Sequence, residues 1–290
     1  MSNGPTGAEG SPLITVVTAV YNGADTLERC VRSVAGQTYP RVQFVVIDGG
    51  STDGTVDILR DNAGGIDHWE TGPDRGIYHA WNKGLRHADG RWVCFLGADD
   101  FFWRADVLER MVPHLAQADG RHRIVYGKAA VLDAAGRVRA LWGAPWPRER
   151  SRFLQGIMRV PHPGLFHHEE LFRRSGPFDD SFQSAGDYEF LLRELKQAPA
   201  LHVPDILVAG MTAGGTTHRV RNRFRSMREV LRARRIHRIP GVPWRLARAW
   251  VLNSLLLFVT GLLGRRRTAR LTAALKPPVP EDAYERHAAW

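Results

Sequence analysis

The sequence predicts an α/β protein built on a parallel, doubly wound sheet. Apolar, often β-branched runs alternate with segments whose apolar residues recur at helical spacing, and loops rich in Gly, Asp, Ser and Thr separate them. This alternation is typical of a parallel sheet that is covered by helices on both faces. The predicted strands are residues 13–18, 42–47, 66–69 and 92–96. The predicted helices have their apolar faces within residues 27–34, 56–59, 77–88 and 107–115.

The second part of the chain predicts smaller elements that extend this sheet. Residues 123–141 have the pattern of a hairpin that turns at the Asp-Ala-Ala-Gly sequence of residues 133–136. The other expected elements are helices near 168–174 and 187–196 and extended pieces around Val203 and Leu207. Residues 12–218 contain no internal repeat or clear linker and therefore predict one domain.

Composition excludes several classes of protein. The 290 residues are 43% hydrophobic and 9% aromatic, which allows a sizeable core and excludes general disorder. The two cysteines, Cys30 and Cys94, lie in apolar stretches, so a disulfide framework and a cysteine-based zinc site are not expected, and a reducing compartment fits. Residues 1–11 are rich in Gly, Ser and Pro and lack a secretory-signal pattern, and they predict a disordered tail.

The charge of the chain is strongly uneven. Residues 219–270 contain fifteen Arg, no Lys and one Glu, a net charge of +14, whereas the whole chain carries +10. The remainder is therefore mildly acidic. This asymmetry predicts an anionic partner for the C-terminal segment and argues against a body that binds nucleic acid.

The C-terminal segment 219–290 is predicted to be helical and to associate with a membrane surface. A basic amphipathic helix is predicted by the heptad-like spacing of Val220, Phe224, Met227 and Leu231. Residues 249–264 are uncharged and mostly apolar, but 16 residues are fewer than the roughly 20 needed to cross a bilayer. An in-plane helix with arginines at anionic headgroups is the favoured interpretation, and a helix that packs on the body is the alternative.

Acidic residues follow the predicted strands at the place where parallel sheets bind ligands, beyond the carboxyl ends. Asp99 and Asp100 follow the strand at 92–96, and unpaired carboxylates are costly to bury in a core. Such oxygen ligands suit Mg²⁺ or Mn²⁺ shared with a diphosphate, although either residue could instead cap the next helix. Asp48 ends a central strand and could bind a base or ribose, or form an ordinary Asp-Gly turn.

Other polar residues also have two interpretations each. Asp74 precedes a predicted helix and could contact an anion or a ribose, or simply cap that helix. Asp187 opens a later helix and could be an N-cap or a general base. The segment 162–168 contains three histidines but does not favour a zinc site, because prolines flank His162 and the following His pair can begin a helix. His218 could contact a metal or a phosphate, although a structural role is favoured.

Four segments, taken in their order along the chain, resemble a known family. They are TAVYNG at 18–23, VIDGGSTDGT at 46–55, PDRGIYHAWNKG at 73–84 and FLGADD at 95–100. This order resembles the family 2 glycosyltransferases, and within them the bacterial cell-surface polysaccharide and glycolipid subgroup. The later segments 161–166 and 186–190 are similar to acceptor-side segments of that subgroup, so that the resemblance covers residues 12–217.

The resemblance implies a GT-A fold with a mixed, mostly parallel sheet flanked by helices. It also implies a nucleotide-diphosphate sugar donor and inversion at the anomeric carbon. Residues 12–120 would form the nucleotide-sugar half of the catalytic domain, and residues 121–218 the acceptor half. Position by position, the residues that would bind the donor are Ala19, Tyr21, Asp48, Asp74, Lys83, Asp99 and Asp100. His162 would lie on the acceptor side.

The resemblance also assigns the chemistry to a few carboxylates. Asp99 matches the metal-binding acid of the family's DxD motif, with Asp100 as its neighbour, and Mg²⁺ or Mn²⁺ is the expected cofactor. Gly97 stands where that motif usually has its first Asp. Asp187 matches the catalytic base, and Gly186 replaces the Glu that usually precedes it.

The hypothesis that follows is an inverting glycosyltransferase, peripheral at the cytoplasmic face of the plasma membrane. A UDP-sugar is the expected donor, a lipid-linked or cell-envelope glycan or glycolipid the acceptor, and an anionic membrane the partner of residues 219–270. No nucleic acid partner is expected. One alternative is a binding protein for nucleotide sugars or nucleic acid without catalysis. Another is a sugar nucleotidyltransferase, but residues 18–23 lack the basic, Gly-rich loop that such enzymes usually have.

Overall fold

The structure, a computed structural model, describes residues 11–212, 220–241 and 243–263. The predictions for residues 1–10, for His218 and for residues 264–290 lie outside these described residues. The strands are β1 Ile14–Val20, β2 Val42–Asp48, β3 His68–Thr71, β4 Trp92–Gly97, β5 Asp100–Phe102, β6 Ile124–Leu132, β7 Val138–Trp142, β8 Leu165–His168 and β9 Leu201–Thr212. The helices are α1 Ala24–Ala35, α2 Thr55–Asp61, α3 Ile77–Leu85, α4 Val107–Ala118, α5 Trp146–Leu154, α6 Glu169–Ser175, α7 Gly186–Leu195, α8 Val220–Ile236 and α9 Trp244–Leu263.

The strands form a single sheet in the order β3-β2-β1-β4-β8-β6-β9-β5, with β7 paired to β6. The first four strands of this order are parallel, as predicted. The sequences of β1, β2 and β4 are nearly continuous apolar runs because helices cover both faces of this part of the sheet. The order of the strands reverses between β1 and β4. A reversal of this kind opens a crevice at the carboxyl ends of the strands.

The remaining pairs make the sheet mixed. β8 is antiparallel to β4 and β6, β5 is antiparallel to β9, and β6 is parallel to β9. The predicted hairpin is confirmed, since β6 and β7 pair and the Gly136 N–H donates to the Asp133 carbonyl at 2.9 Å across the turn. The sequence pattern missed β5, β8 and α5. β5 has three residues and begins with an acid, and β8 ends in two histidines, so neither has the apolar pattern of a strand.

Two hydrophobic cores lie on opposite faces of the sheet. One contains apolar side chains of α1, α2 and α4, including Leu27, Leu59 and Met111. The other contains side chains of α3, α5, α6, α7 and α8, including Trp81 and Phe190. Cys30 and Cys94 are buried free thiols, and burial raises the pKa of each to about 12, which keeps them protonated.

Helix α8 packs on the body of the protein. Val230 and Ala233 are buried in the second core. Gly156 permits this approach, because a Cβ added there would lie 2.7 Å from Cγ1 of Val230. The predicted apolar face was partly wrong, since Leu231 is 43% exposed while Met227, Val230 and Ala233 contact the body. The part of the predicted tail that forms α8 is therefore joined to the second core.

Helix α9 presents apolar side chains to solvent. Leu246 is buried, but about half of the surface of five other apolar side chains is exposed, namely Trp244, Trp250, Val251, Leu252 and Leu255. Within the described part of the chain, no helix combines the length and apolar character needed to cross a membrane.

Candidate active site

The carboxyl ends of the four parallel strands form one row across the sheet. The strand register pairs Ala19 with Gly97, Val20 with Asp48, and Asp48 with Thr71. Both residues at the switch point between β1 and β4, Ala19 and Gly97, are small, so side chains from the adjoining loops can approach it. The predicted convergence of the loops that follow β1, β2 and β4 is therefore present.

The buried Asp48 carboxylate holds the loop that follows β2. It accepts hydrogen bonds from the backbone N–H groups of Gly50 (3.1 Å) and Ser51 (3.0 Å) and from the Ser51 hydroxyl (2.5 Å). The Thr71 hydroxyl on β3 donates another at 2.5 Å. These donors compensate for burying the charge. These contacts agree with the turn interpretation of Asp48, and its contact with a base or ribose stays a prediction.

Tyr21 and Asp74 meet above Gly49. A Cβ added to Gly49 would lie 2.6 Å from Oδ2 of Asp74 and 3.4 Å from Cδ2 of Tyr21. The other oxygen of Asp74 accepts a hydrogen bond from the Gly76 N–H at 2.8 Å, and Tyr21 is 67% exposed. An exposed aromatic ring beside a carboxylate can stack on a flat base and accept a hydrogen bond from it.

Lys83 is directed to an acidic residue on the edge strand. Its Nζ lies 2.6 Å from Oε1 of Glu70 on β3, and the hydrogen bond from Lys83 lowers the pKa of Glu70. Because this pair is internal to the protein, a contact between Lys83 and a nucleotide sugar stays a prediction.

His68, Glu70 and His87 form a cluster beside Lys83. One ligand atom of each residue lies within 4.8 Å of the others, which would be compatible with a metal ion. The two imidazole rings, however, are stacked face to face, with centroids 3.7 Å apart and planes 18° from parallel. Nitrogen lone pairs lie in the ring planes, so two nearly parallel rings cannot both be directed at one ion. The cluster therefore lacks the geometry of a metal site.

Asp99 and Asp100 border a small space above Gly97. A Cβ added to Gly97 would lie 2.7 Å from Oδ2 of Asp100 and 3.0 Å from Oδ1 of Asp99. The Gly97 N–H donates to Asp100 at 3.2 Å. Neither acid caps the next helix, because α4 begins at Val107 after Asp106. The absence of a side chain at Gly97 is thus what lets the Asp100 carboxylate occupy this position.

The backbone of Asp99 is fixed by residues from two distant elements. Nη2 of Arg29 on α1 donates to the Asp99 carbonyl at 2.9 Å and lies 3.0 Å from the Thr212 hydroxyl at the end of β9. That hydroxyl also donates to the Asp99 carbonyl at 3.0 Å. These contacts hold the turn between β4 and β5 in one conformation.

The pair of acids fits a divalent cation. Burial raises the pKa of Asp100 well above its usual range, and the charge of Asp99 raises it further. A cation between the carboxylates would offset both effects, and carboxylate oxygens are the ligands that Mg²⁺ and Mn²⁺ prefer. The observed arrangement thus matches the donor set expected for the predicted cofactor.

Asp187 lies in the first turn of α7 and contacts α3. Its Oδ1 accepts hydrogen bonds from the Tyr78 hydroxyl (3.1 Å) and the Tyr188 N–H (2.8 Å). Burial raises the pKa of Asp187, and these two donors partly oppose that rise. A Cβ added to Gly186 would lie 2.8 Å from the Tyr78 ring, so the tyrosine leaves no room for a side chain there. A carboxylate of raised pKa that keeps a hydrogen-bond donor is suited to accept a proton.

His162 lies within the aromatic core. Its ring stacks on Trp81 with centroids 4.9 Å apart, and it is 7% exposed. Burial lowers the pKa of His162 to about 3 and that of His167 well below its usual range, so both are neutral. His168 ends β8, and its Nδ1 accepts a hydrogen bond from the Glu170 N–H at 3.2 Å. The expectation that these histidines form no zinc site stays a prediction, as does an acceptor contact by His162.

Residues 15–175 match the family described as Glycosyl transferase family 2. The chain belongs to this family. It is a glycosyltransferase, as the order of its four segments predicted.

This family 2 chain has a curated relative in Mycobacterium bovis, a PGL/p-HBAD biosynthesis glycosyltransferase. The two are 32% identical over 188 residues, a match that covers 63% of this chain and 70% of the relative. The structure also resembles the mannosyltransferase PcManGT of Pyrobaculum calidifontis, solved with GDP-Man and Mn²⁺, with a TM-score of 0.61 at 22% identity over 92% of this chain and 80% of the other. The likeness to TarS of S. aureus, solved with UDP-GlcNAc, has a TM-score of 0.60 at 17% identity over 76% and 66%. The fold is GT-A, as predicted.

Sequence reasoning missed several residues that shape the site of this family 2 enzyme. Arg29 reaches Asp99 across 70 positions of sequence, so no local pattern could indicate the contact. Tyr78 stands inside one of the four segments, but its hydroxyl contacts Asp187, which is 109 positions away. Both contacts depend on which strands and helices become neighbours.

Moving the carboxylate from position 100 to position 97 tests the role of Gly97 in the proposed metal site. In a Gly97→Asp variant, the new Cβ would collide with the Asp100 carboxylate, so we expect Mn²⁺-dependent binding of nucleoside diphosphate to weaken by roughly tenfold or more. In the Gly97→Asp/Asp100→Ala double variant the collision is removed, and most of the affinity should return. Calorimetric titration with and without Mn²⁺ measures both. Tighter binding by Gly97→Asp alone would contradict the role given to the glycine.

Proposed function

We propose that this glycosyltransferase inverts the anomeric carbon as it transfers a sugar from a nucleotide-diphosphate donor to a hydroxyl of a lipid-linked or cell-envelope glycan or glycolipid. The observation that carries this proposal is the contact between Asp187 and Tyr78. It joins a carboxylate of raised pKa to α3, whose preceding turn holds Asp74 beside Tyr21. A base and a nucleoside-binding surface are thus next to each other.

The chemistry assigned to Asp187 is the removal of one proton. Its carboxylate takes the proton of the acceptor hydroxyl while that oxygen forms a bond to the anomeric carbon. The bond from the same carbon to the diphosphate oxygen breaks, and its electron pair leaves with the nucleoside diphosphate. Attack occurs opposite the leaving group, so one displacement inverts the centre and no enzyme nucleophile is needed. Burial makes Asp187 a stronger base than an exposed carboxylate, because it raises the pKa.

The donor is proposed to lie along the row of strand ends. Tyr21 would stack on the base, and Asp74 would accept a hydrogen bond from the base or ribose. Asp99 and Asp100 would hold Mg²⁺ or Mn²⁺, which when bound neutralises charge on the diphosphate. A UDP-sugar is the proposed donor. Because structural neighbours were solved with either UDP-GlcNAc or GDP-Man, the nucleotide must be identified by binding.

A membrane-associated acceptor is supported by α9 and by the mycobacterial relative. Trp244, Trp250 and Leu255 are each more than half exposed on a helix that also carries Arg245 and Arg248. Exposed aromatic and aliphatic side chains with arginines on one helix favour an in-plane position at an anionic surface. The relative is named for the biosynthesis of PGL and p-HBAD. We therefore propose a peripheral enzyme at the cytoplasmic face of the plasma membrane.

Asp187→Asn tests the proposed reaction. The amide cannot take the hydroxyl proton, so we expect transfer to fall at least 10²-fold, while the affinity for donor with Mn²⁺ stays within threefold. The assay follows release of nucleoside diphosphate from UDP-, GDP- and dTDP-sugars, each of which is first tested for binding by thermal shift. Full transfer by the variant would remove Asp187 from its role. Release of pyrophosphate instead of nucleoside diphosphate would indicate a nucleotidyltransferase.

Tyr78→Phe tests the electrostatic part of the proposal through pH. The hydroxyl of Tyr78 lowers the pKa of Asp187, so its removal should raise that pKa further. Since the ionised carboxylate is the active form, the acidic limb of the kcat/KM profile should move to higher pH, with rates near the plateau much less affected. A profile that is unchanged or displaced to lower pH would contradict this assignment.

The exposed face of α9 is tested with a charge-matched pair of variants. Val251→Asp/Leu255→Asp should reduce binding to vesicles of anionic lipid by tenfold or more, since it puts carboxylates on the apolar face. The control Ala116→Asp/Ala134→Asp makes the same charge change at exposed positions of the body and should bind almost as well as the parent chain. Cosedimentation at low and high salt measures both. Equal loss in the two variants would mean that net charge alone governs the interaction.

A further inference from the structure

The carboxylate of Glu229 on α8 is held against the segment that leads into α7. It accepts hydrogen bonds from three consecutive backbone N–H groups, those of Gln183 (3.1 Å to each oxygen), Ser184 (2.8 Å) and Ala185 (2.9 Å). Helix α7 begins at the next residue, Gly186. Charge-assisted hydrogen bonds from several N–H groups to one carboxylate are among the stronger contacts in proteins.

The segment held by Glu229, residues 183–185, lies between Asp187, the proposed base, and the turn that contains Asp74. This turn is called the donor turn. Asp187 follows the segment in sequence after one residue, Gly186. The Gln183 side chain donates to the Arg75 carbonyl at 3.1 Å, and a Cβ added to Gly76 would lie 3.1 Å from its Oε1. A displacement of this segment would therefore move Asp187 relative to the turn that contains Asp74.

Contacts other than those of Glu229 also hold α8 on the body. Val230 and Ala233 are buried beside it, and Nε2 of His237 lies 2.8 Å from Oε1 of the buried Glu189 on α7. Arg232 donates to the Ser181 hydroxyl at 2.8 Å. The packing of the helix and the three N–H contacts of Glu229 are thus separable by substitution.

We propose that Glu229 is a positioning residue for the transfer reaction, which fixes residues 183–185 so that Asp187 is held in register with Tyr78 and the donor turn. The inference rests on the proposed role of Asp187. It makes α8 a part of the active site, although α8 follows the strands and loops that carry the reacting groups. Among residues 219–270, Glu229 is the single acid, and an arginine at this position could not accept these hydrogen bonds.

The test compares Glu229→Gln with Glu28→Gln, which removes the same charge from an exposed Glu–Arg pair on α1. In Glu229→Gln the new amide group can offer only one acceptor oxygen, so residues 183–185 lose part of their support. We expect kcat to fall 10- to 100-fold while donor affinity, measured by calorimetry with Mn²⁺, stays within threefold. Glu28→Gln should leave both unchanged. An unchanged kcat in a folded Glu229→Gln variant overturns the proposal.

A double variant separates positioning from general damage. If Glu229 acts through Asp187, then adding Glu229→Gln to Asp187→Asn should lower the residual rate by less than threefold. A further 10- to 100-fold loss in that background overturns the proposal. Glu229→Asp keeps the charge on a shorter side chain and should recover part of kcat, and it carries the test if the Gln variant does not fold. Should Asp187→Asn retain full activity, the proposed base fails, whereas a dead Asp187→Asn beside a fully active Glu229→Gln removes only the positioning role.

Discussion

The site depends on the space left by three glycines. Gly49 lies against Asp74 and Gly186 against Tyr78, both distant in sequence, whereas Gly97 lies against Asp100 of the same turn. In every case an added Cβ would lie 2.8 Å or less from an atom of that side chain, which is closer than packed atoms approach. The glycines therefore leave the space that the carboxylates of Asp74 and Asp100 and the ring of Tyr78 occupy close to the backbone.

The buried acids of the site differ in how well hydrogen bonds from the protein compensate their negative charge. Asp48 is buried but accepts hydrogen bonds from Gly50, Ser51 and Thr71, so its charge is satisfied within the protein. Burial raises the pKa of Asp100, and the neighbouring Asp99 raises it further, whereas the hydrogen bond from the Gly97 N–H only partly opposes this rise. This difference supports the proposed metal site at Asp100, because a bound cation has most to add where compensation is poorest, whereas the nucleoside contact predicted for Asp48 stays a prediction.

The local pattern of apolar residues was sufficient to predict the parallel part of the sheet and its helices. Apolar runs and helical spacing predicted β1 to β4 and the helices between them, and ordered motifs predicted that their carboxyl ends carry the site. The short strands β5 and β8 were missed, because Asp100 and His168 lie in them and periodicity cannot show which polar residues a sheet will bury. Contacts such as that of Arg29 with the Asp99 carbonyl were beyond prediction, since they depend on which elements become neighbours.

Helix α8 shows why net charge is a poor guide to what a segment touches. Counting charges over residues 219–270 describes a basic tail and treats Glu229 as a minor deduction from the +15 of its arginines. In the structure α8 docks through apolar packing of Val230 and Ala233 and through polar contacts such as that of Arg232 with Ser181, while the carboxylate of Glu229 receives the N–H groups just before α7. Helix α9 packs on α8. Helix α8 therefore lies between the exposed apolar side chains of α9 and the segment that precedes Asp187. Under the proposed membrane association, α9 would connect the membrane surface to α8, the helix whose Glu229 contacts the residues before Asp187.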